Sequence, residues 1–455
     1  MRQLKIGTSW VRGVVGDALT PEVVVNFSCA FGTWTGGAPV VIGRDTRRSS
    51  TAMRAAVVSG LLSTGCEVID LGVSSSPIVS FAVRELGAGG GISITGSHNE
   101  AEWNALKFFG PDGALLNSAK TEELLDVYHS SAFLAAPWDR LKPLAEPPQG
   151  FENRYLEHIL SALDVEAIRA RRFRVAVDFS NGACGPIASR FFQALGCTLL
   201  PVNEDPAAEF AHPPAPTAAN MRQLATLMRC FEADLGAAIN VDGDRIGFVT
   251  REGTALSEEY ALPLVAGLRL ERRPGPVVTN LSTSRMVDAV AARYGQPVLR
   301  TAVGESHVVD YGVAEGAVLA GEGCGGVAPL PVTMTFDALL SLGHVFERLA
   351  ASDKSLSVLV GELPHLHMRK RELPCAPNVV YRIVERFRLR HAEENPNGLD
   401  GVRVDWDDAW LHVRASNTEP VLRIIAEART AERAENLAEE AWTFARRAAV
   451  GHVRS

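Results

Sequence analysis

Three stretches of the chain share one order of apolar and polar positions. In each, a short apolar run leads through a polar turn into a helical pattern, which ends at a glycine before a second apolar run. The three stretches are residues 39–70, 174–200 and 276–301. A strand, a helix and a strand in this order form a crossover that joins parallel strands. The pattern therefore predicts three similar α/β units.

Each unit is followed by one more apolar strand that runs into an unusual loop. The predicted strands are Ile92–Thr95, Leu235–Ile239 and Ala317–Ala320. In the first of them Ile92 and Ile94 alternate as they would in a half-buried strand. In open α/β sheets, ligands bind at the carboxyl ends of the strands. We therefore expect the three loops to carry the function.

The C-terminal part of the chain follows a different pattern. It predicts, in order, a strand near His367–Lys370, a helix over Asn378–Leu389, strands over Val402–Asp405, Ala409–Arg414 and Val421–Ala428, and a helix over Thr430–Ala448. Short strands with helices of this kind predict an antiparallel α+β unit. We place the four domains at residues 1–145, 146–250, 251–365 and 366–455.

Composition limits the class of protein. A chain of 455 residues is too long for one core, so about three or four domains are expected. The formal net charge of −8 disfavours nucleic acid as a partner. No run approaches the roughly 18 apolar residues of a membrane span, and the start lacks the apolar region of a signal peptide. The seven cysteines form no CxxC pair. We therefore expect a cytoplasmic protein without a membrane partner.

The first loop presents a serine. Gly96 allows a sharp turn after the strand, and Ser97 then projects beside His98 and Asn99, polar neighbours that could hold it and an attached group. A serine in this position can carry a covalent group. Most loop serines, however, only cap helices or bond to their own backbone.

The second loop, Asn240–Arg245, has side-chain oxygens on Asn240, Asp242 and Asp244. In an extended segment alternate side chains point to one side, so the three oxygens could converge on a hard cation such as Mg²⁺. An EF-hand is excluded: counted from Asn240, Arg245 and Arg251 stand at the sixth and twelfth positions, where glycine and glutamate are needed, and counted from Asp242 the glycine is present but Gly253 replaces the glutamate. An acidic turn without a metal is the simpler interpretation of the tripeptide alone.

A polar turn between the last predicted strands is suited to phosphate. Arg414, Ser416, Asn417 and Thr418 surround the turn, and Arg423 follows. Hydroxyl groups, backbone N–H groups and guanidinium groups are what a dianionic phosphate needs. An ordinary hairpin turn would also explain the Ser-Asn pair.

Three weaker candidates complete the set. The glycine-rich segment 321–326 holds Glu322, which could accept hydrogen bonds from sugar hydroxyls, and Cys324. Arg12 lies between glycines near the start, and Lys107 follows Ser97 by ten residues. Either cation could equally be a solvated surface charge.

Together these segments resemble the α-D-phosphohexomutases, which interconvert the 1-phosphates and 6-phosphates of hexoses. The resemblance covers essentially the whole chain and rests on six ordered motifs: Gly-Thr-Ser-x-x-Arg-Gly (7–13), Gly-Arg-Asp-Thr-Arg (43–47), Thr-Gly-Ser-His-Asn (95–99), Asp-Gly-Asp-Arg (242–245), Gly-Glu-Gly-x-Gly-Gly (321–326) and Arg-x-Ser-Asn-Thr-Glu-Pro (414–420). It implies three α/β/α domains and a fourth α+β domain around a central cleft.

The resemblance also implies a role for each candidate. Ser97 would be the phosphoserine, with His98 beside it, and would bind Mg²⁺ together with the loop that holds Asp242 and Asp244. Catalysis would further involve Lys107, as a proton carrier, and the charge partners Arg245 and Arg12. The substrate would be bound by Glu322, Cys324, Arg414, Ser416, Asn417, Thr418 and Arg423. A hexose 1,6-bisphosphate, such as the glucose compound, would act as activator, and the protein would be a monomer or homodimer.

Three departures from the family pattern bear on specificity. Asn240 stands where the metal loop usually begins with Asp, so its amide oxygen would replace a carboxylate and the cation would bind more weakly. Cys324 and Gly326 change the glycine-rich segment 321–326, the sugar loop of the family, towards a form often associated with phosphoglucosamine or mixed-specificity mutases. Ala105 replaces the glycine of the usual Tyr-Asn-Gly. The sequence favours phosphoglucosamine mutase over phosphomannomutase or phosphoglucomutase.

Two interpretations of other classes compete. A degenerate relative could bind sugar phosphates without turnover, which the changes at Asn240 and in the sugar loop would allow. A haloacid-type phosphatase would use Asp242 and Asp244 as its Asp-x-Asp motif, but this leaves Ser97 and the 414–420 loop unexplained.

Overall fold

The computed structural model describes residues 4–416 and 420–450, apart from the side chains of residues 377, 378 and 450. Within these ranges the chain forms four sheets, one after another along the sequence. Three are mixed α/β sheets, and the fourth is antiparallel, as predicted. No helix in the described ranges is long and apolar enough to cross a membrane.

The first sheet has seven strands. They are β1 (Lys5–Ile6), β2 (Trp10–Val14), β3 (Val40–Arg44), β4 (Val68–Val73), β5 (Gly90–Ile94), β6 (Trp103–Phe109) and β7 (Leu144–Ala145), in the order β1-β2-β6-β5-β3-β4-β7. The helices are α1 (Pro21–Trp34), α2 (Ser50–Ser63), α3 (Ser76–Glu85) and α4 (Ser118–Ser130). The predicted crossover is confirmed: β3, α2 and β4 form it, and β5 pairs in parallel with β3.

Strand β5 is buried on both faces, so the prediction of a half-buried strand is wrong. All five of its residues are buried. Ile92 and Ile94 pack into the core formed with α1 and α2. On the opposite face Gly91 lies so close to α3 that a Cβ would stand 2.6 Å from a methyl group of Val83. The small residues that alternate with the isoleucines, Gly91 and Ser93, therefore let α3 cover the second face.

The second and third sheets repeat the arrangement. The second consists of β8 (Arg174–Asp178), β9 (Thr198–Val202), β10 (Leu235–Ile239) and β11 (Ile246–Thr250), with helices α5 (Phe151–Leu160), α6 (Val165–Arg171), α7 (Gly185–Ala194) and α8 (Arg222–Cys230). The third consists of β12 (Val277–Asn280), β13 (Val298–Thr301), β14 (Leu319–Gly321) and β15 (Val327–Ala328), with α9 (Ala261–Arg272), α10 (Met286–Arg293), α11 (Glu305–Ala314), α12 (Ala338–Ser352) and α13 (Leu356–Gly361). Both predicted crossovers are confirmed.

One feature common to the three sheets places the predicted loops. Strands β5, β10 and β14 each pair with the next strand, β6, β11 or β15, in an antiparallel manner. Each loop is therefore the turn of a hairpin whose first strand belongs to the parallel part of its sheet. The antiparallel partners β6, β11 and β15 were not among the predicted strands.

The fourth sheet is antiparallel, in the order β16-β19-β18-β17. Its strands are β16 (His367–Pro374), β17 (Val402–Asp405), β18 (Ala409–Ala415) and β19 (Val421–Ala428), and its helices are α14 (Pro377–Arg390) and α15 (Ala431–Val450). Apolar residues of both helices pack against the strands in one core. The predicted α+β unit is confirmed, although β16 extends four residues beyond the predicted strand.

The fourth unit is joined to the third largely through polar contacts. The first three units share a continuous apolar core, to which α3, α5 and α12 all contribute, whereas the fourth has a core of its own. At the junction the backbone N–H of Val303 donates to Asp400 (2.9 Å), and Ser282 bonds to His412 (2.9 Å). Arg285 also pairs with Asp405 (2.7 Å).

Candidate active site

Loops from all four units meet at one cleft with a cavity of about 270 Å³. Eleven of the predicted site residues line it: Arg12, Ser97, His98, Lys107, Asp244, Arg245, Glu322, Cys324, Arg414, Ser416 and Arg423. Asn240 and Asp242 lie directly below, in hydrogen-bond contact with lining residues. Asn417 and Thr418 lie outside the described residues. A larger groove of about 760 Å³, beside β4 and residues 144–152, contains none of the predicted site residues.

The backbone of the Ser97 loop is held in an uncommon conformation. Ser97 has a φ of 50°, in the left-handed region, and its side chain is buried at the base of the cleft. Thr95 Oγ1 accepts the Ser97 N–H (2.9 Å). Arg47 donates to the carbonyl oxygens of Ser97 (2.7 Å), Asn99 (2.7 Å) and Glu100 (2.6 Å). One guanidinium group thus fixes most of the turn.

Arg47 is a functional candidate that the sequence did not single out. Its Nε donates to Asp45 (2.9 Å), and the side chains of both residues are fully buried. Asp45 also accepts from the hydroxyls of Ser50 (2.6 Å) and Thr95 (2.8 Å). The family resemblance includes the Gly43–Arg47 motif but implies no role for it. The structure shows that it orients the loop that carries Ser97.

The second loop is a turn, so the prediction of an extended segment is wrong. The chain reverses at Gly243, which has a φ of 72°. The carboxylates of Asp242 and Asp244 nevertheless converge, and Lys107 Nζ donates to both (2.6 and 2.5 Å). Ser76 Oγ also donates to Asp242 (2.9 Å). The convergence comes from the turn and not from strand alternation.

The side chain of Asn240 presents its nitrogen, and not its oxygen, to this cluster. Its Oδ1 accepts the backbone N–H groups of Asp244 (3.1 Å) and Arg245 (3.0 Å). Its Nδ2 donates to Asp242 Oδ1 (3.0 Å), Asp244 Oδ1 (2.6 Å) and Ser97 Oγ (3.3 Å). This orientation disagrees with the amide-oxygen ligand expected from the sequence.

Burial strengthens the charge interactions in the cluster. Burial opposes the ammonium form of Lys107, but Asp242 and Asp244 outweigh it and raise the pKa of the lysine. Burial likewise opposes ionisation of Asp244, but Lys107 and Arg245 outweigh it and lower the pKa of the carboxyl group. Lys107 and Asp244 are therefore both charged at neutral pH.

The cluster contains oxygen donors of the kind that a hard cation prefers. Two buried carboxylates lie next to the Ser97 hydroxyl, where a phosphoryl group would add further oxygens. No group of three or more His, Cys, Asp or Glu residues suited to a metal occurs in the part of the chain that the structure describes. The two carboxylates and the oxygens of a phosphoryl group on Ser97 would together fit such a cation.

Two further groups line the Ser97 side of the cleft. Arg12 donates to Asn99 (2.5 Å), and its guanidinium lies 4.5 Å from the ring centre of Trp10. Burial, with Arg245 nearby, lowers the pKa of Arg12 to about 10. Burial and Arg245 also lower the pKa of His98 well below its ordinary value, so its imidazole is neutral at pH 7.

The glycine-rich segment 321–326 is attached to the second loop, Asn240–Arg245, through the backbone. The N–H of Ile246, directly after this loop, donates to the carbonyl of Gly325 (3.0 Å), and Arg245 and Gly326 form an isolated β-bridge. Glu322 Oε1 accepts from Asn280 Nδ2 (2.6 Å) and from the N–H of Gly304 (2.7 Å). The second oxygen, Oε2, lies 3.7 Å from the Cys324 thiol. Burial raises the pKa of this thiol to about 12, so it is protonated.

Two arginines face each other on the opposite wall. Arg414 on β18 and Arg423 on β19 are directly opposed in the strand register. Like charges in such a pair repel each other. Asp400 offsets part of the charge by accepting from Arg414 Nε (3.0 Å). Two opposed guanidinium groups beside Ser416 make a favourable place for an anion.

The cleft also contains residues that no sequence motif indicated. Glu305 begins α11, accepts the N–H of Phe336 (2.8 Å) and has a pKa raised to about 7 by burial. Lys370 on β16 donates to Glu258 (2.9 Å) and pairs with Glu259 (3.1 Å). These side chains come from a helix start, a single helical turn and a long strand of the fourth unit, none of which carries a local signature.

Comparison with known proteins covers all four units. Models of the phosphoglucomutase/phosphomannomutase family match the chain as α/β/α domain I over residues 3–135, domain II over 153–253, domain III over 258–367 and the C-terminal domain over 384–442. A probable phosphoglucosamine mutase of Methanopyrus kandleri is 36% identical over 97% of each chain. A phosphoglucomutase/phosphomannomutase of Thermococcus kodakarensis is 33% identical over 95% of this chain and 96% of its own. The crystal structure of a phosphoglucomutase/phosphomannomutase family protein from Burkholderia thailandensis superposes with a TM-score of 0.81, at 26% identity over 96% of this chain and 97% of that one.

Proposed function

Because the chain belongs to the phosphoglucomutase/phosphomannomutase family, whose members are phosphoryl-transferring enzymes, we propose that it interconverts hexose 1-phosphates and 6-phosphates through a phosphoserine at Ser97. The observation that carries the proposal is the single cleft. It holds the Ser97 hydroxyl above Asp242 and Asp244, with Arg414 and Arg423 on the opposite wall. A group that transfers phosphate and a group that binds phosphate therefore face the same substrate space.

Family members generally depend on Mg²⁺, and we propose that Asp242, Asp244 and a phosphoryl oxygen on Ser97 hold it here. When bound, the cation neutralises charge on the transferred group. Arg245 and Arg12 supply further positive charge from the walls of the cleft. Phosphoryl transfer depends mainly on positioning and charge neutralisation, which this arrangement favours.

Lys107 would act as a proton donor in the transfer. In the forward step the bond between Ser97 Oγ and phosphorus breaks and a bond forms between phosphorus and a sugar hydroxyl oxygen, and the proton that the hydroxyl loses replaces the one that Lys107 gives to Ser97 Oγ. The pKa of Lys107 is raised, so it is an ammonium at neutral pH and can give a proton to Ser97 Oγ as that bond breaks. In the return step Lys107 gives a proton to the sugar oxygen as its bond to phosphorus breaks, and takes a proton from the Ser97 hydroxyl.

The other walls would hold the part of the substrate that does not react. Glu322 Oε2 would bind sugar hydroxyls, because its contact with the Cys324 thiol (3.7 Å) is weak and Oε1 is already bonded to Asn280 and Gly304. Arg414, Arg423 and Ser416 would bind the phosphate that is not transferred. The sugar 1,6-bisphosphate has a phosphate at each end, so the same wall serves both orientations of the intermediate. Glucose 1,6-bisphosphate would prime Ser97.

We favour glucosamine phosphate as the substrate, with mannose and glucose phosphates as the alternative. The sugar loop with Cys324 and the relative from Methanopyrus kandleri support glucosamine, whereas the relative from Thermococcus kodakarensis supports the alternative. A coupled assay on the three sugar 1-phosphates, with the matching 1,6-bisphosphate and Mg²⁺, should rank them by kcat/KM. Turnover of none of the three would contradict the proposal.

The role of Ser97 has its own test. Mass spectrometry of peptides should find phosphate on Ser97 after incubation with glucose 1,6-bisphosphate, and Ser97→Ala should abolish mutase activity. Ser63→Ala, at an exposed serine on α2 far along the chain from the cleft loop, is the matched control and should retain it. An unphosphorylated, inactive wild type would support the alternative of a sugar-phosphate-binding relative without turnover.

We also propose domain boundaries at 145/146, 250/251 and 365/366, a cytoplasmic location, and a monomer or homodimer. Each boundary falls between consecutive sheets: after β7, at the end of β11 and just before β16. Limited proteolysis should cut the chain near these points, and light scattering should give the mass of one or two chains.

A further inference from the structure

The orientation of Asn240 is determined by the backbone of its own loop. Its Oδ1 accepts two backbone N–H groups, those of Asp244 (3.1 Å) and Arg245 (3.0 Å). Asn240 itself is fully buried. An N–H group can only donate, so the atom that faces these two groups must be the amide oxygen.

The opposite orientation would be unfavourable on both sides of the amide. Rotation of the group by 180° would place the NH₂ against two N–H groups and leave two buried donors without acceptors. Each such loss costs about 1–3 kcal/mol. The rotated oxygen would face Asp242 Oδ1 and Asp244 Oδ1, which are both acceptors. A cation would have to offset all of these losses to gain a single neutral oxygen ligand.

We propose that Asn240 is a hydrogen-bond donor to the oxygens carried by Ser97 and is not a cation ligand. The inference rests on the proposed function and deepens it. Nδ2 lies 3.3 Å from Ser97 Oγ and has only two hydrogens for three acceptors, the other two being Asp242 and Asp244. A phosphoryl group on Ser97 would bring more oxygens to the same nitrogen.

Two consequences distinguish a donor from a ligand. A cation at this site would take carboxylate oxygens from Asp242 and Asp244, so removal of the Asn240 side chain would take no ligand from it. The phosphoryl group, in contrast, would be held partly by Asn240 even without a metal. Metal affinity and phosphoserine lifetime should therefore respond in different ways to substitution of this residue.

The experiment uses Asn240→Ala and Asn240→Asp in the full chain. Asn240→Asp keeps an oxygen for the two backbone N–H groups and so preserves the two hydrogen bonds that shape the loop. Gln193→Glu is the matched control, since it adds the same charge to an exposed position on α7. Mn²⁺ affinity is measured on the unphosphorylated protein by electron paramagnetic resonance. The lifetime of phosphate on Ser97 is measured in EDTA by intact mass.

For a donor, Asn240→Ala should leave the Mn²⁺ affinity within about twofold of the wild type, and Asn240→Asp should raise it by about tenfold because of the added carboxylate. Both variants should shorten the phosphoserine lifetime in EDTA, whereas Gln193→Glu should change neither quantity. A loss of Mn²⁺ affinity of about tenfold in Asn240→Ala would show a ligand and overturn the inference. So would an unchanged or longer phosphoserine lifetime in Asn240→Asp, which tests the inference even if the alanine variant does not fold.

The two readouts also separate this inference from the proposed function. If wild-type Ser97 never takes up phosphate from glucose 1,6-bisphosphate, the phosphohexomutase proposal fails. The Mn²⁺ measurement does not require a phosphoserine, so it would still decide whether Asn240 is a ligand.

Discussion

Replacement of Lys107 by methionine should leave two buried carboxylates without their cation. The lysine side chain is 6% exposed, and those of Asp242 and Asp244 are 0% and 3% exposed. Removal of one partner from a buried ion pair costs about 3–5 kcal/mol. Asn240 and Ser76 still donate to the carboxylates, so we expect the lower end, about 3 kcal/mol, in the free energy of unfolding.

The assay is urea unfolding of the unphosphorylated chain, in EDTA and then in Mg²⁺. Lys120→Met is the matched control because Lys120 belongs to the same unit and its pair with Asp112 is well exposed. Loss of such a surface pair changes stability by about 0–1 kcal/mol. Magnesium should stabilise Lys107→Met more than the wild type, where the ammonium group competes for the same carboxylates. At a concentration of 100 times its Kd the ion would contribute about 2.7 kcal/mol.

Two results would refute this reasoning. One is a Lys107→Met protein that is no less stable in EDTA than Lys120→Met, because the carboxylates would then not depend on the ammonium group. The other is an equal response of variant and wild type to Mg²⁺, because the cation and Lys107 would then not share Asp242 and Asp244.

Two further predictions concern Glu259 and Arg47. Burial, opposed by Lys370, raises the pKa of Glu259 from 4.5 to about 7. The stability that protonated Glu259 contributes is therefore complete below pH 4.5 and is lost as the pH rises to about 7. Glu259→Gln should make the thermal unfolding midpoint less dependent on pH over that range. Glu258→Gln is its control: Lys370 outweighs burial and lowers that pKa, so this substitution should alter the profile only as pH falls below 4.5. Arg47→Met should slow phosphorylation of Ser97, measured by mass spectrometry, by about 100-fold because the loop loses its guanidinium contacts. Arg48→Met should not slow it, because Arg48 forms an exposed ion pair with Glu209 instead.

The sequence predicted the repeated units because their signals are local. Apolar runs, helical periodicity and terminal glycines lie within each stretch, and β3–α2–β4 and its two counterparts follow from them. The strands β6, β11 and β15 were missed because each follows a polar loop, and β15 has only two residues. Burial of β5 on both faces depends on α3, which packs from elsewhere in the unit.

Some features of the candidate site could be predicted from local motifs, and others depend on the folded structure. Residues in ordered motifs, such as Ser97 and Asp244, could be named in advance, and the structure brings them to one cleft. The orientation of Asn240 could not, because it depends on two backbone N–H groups that point inward only in the folded turn. Glu305 and Lys370 enter the cleft through the packing of α11 and β16, which no local pattern specifies.

The backbone hydrogen bond from the N–H of Ile246 to the carbonyl of Gly325 connects two of the four units at the cleft. It ties the second unit to the third at the base of the cleft, and these two units also share an apolar core with the first. The fourth unit has a core of its own and a largely polar junction, so we expect it to be the unit that moves relative to the other three. An inhibitor that binds both Arg414 and Glu322 would therefore hold the fourth unit against the third and keep the cleft closed.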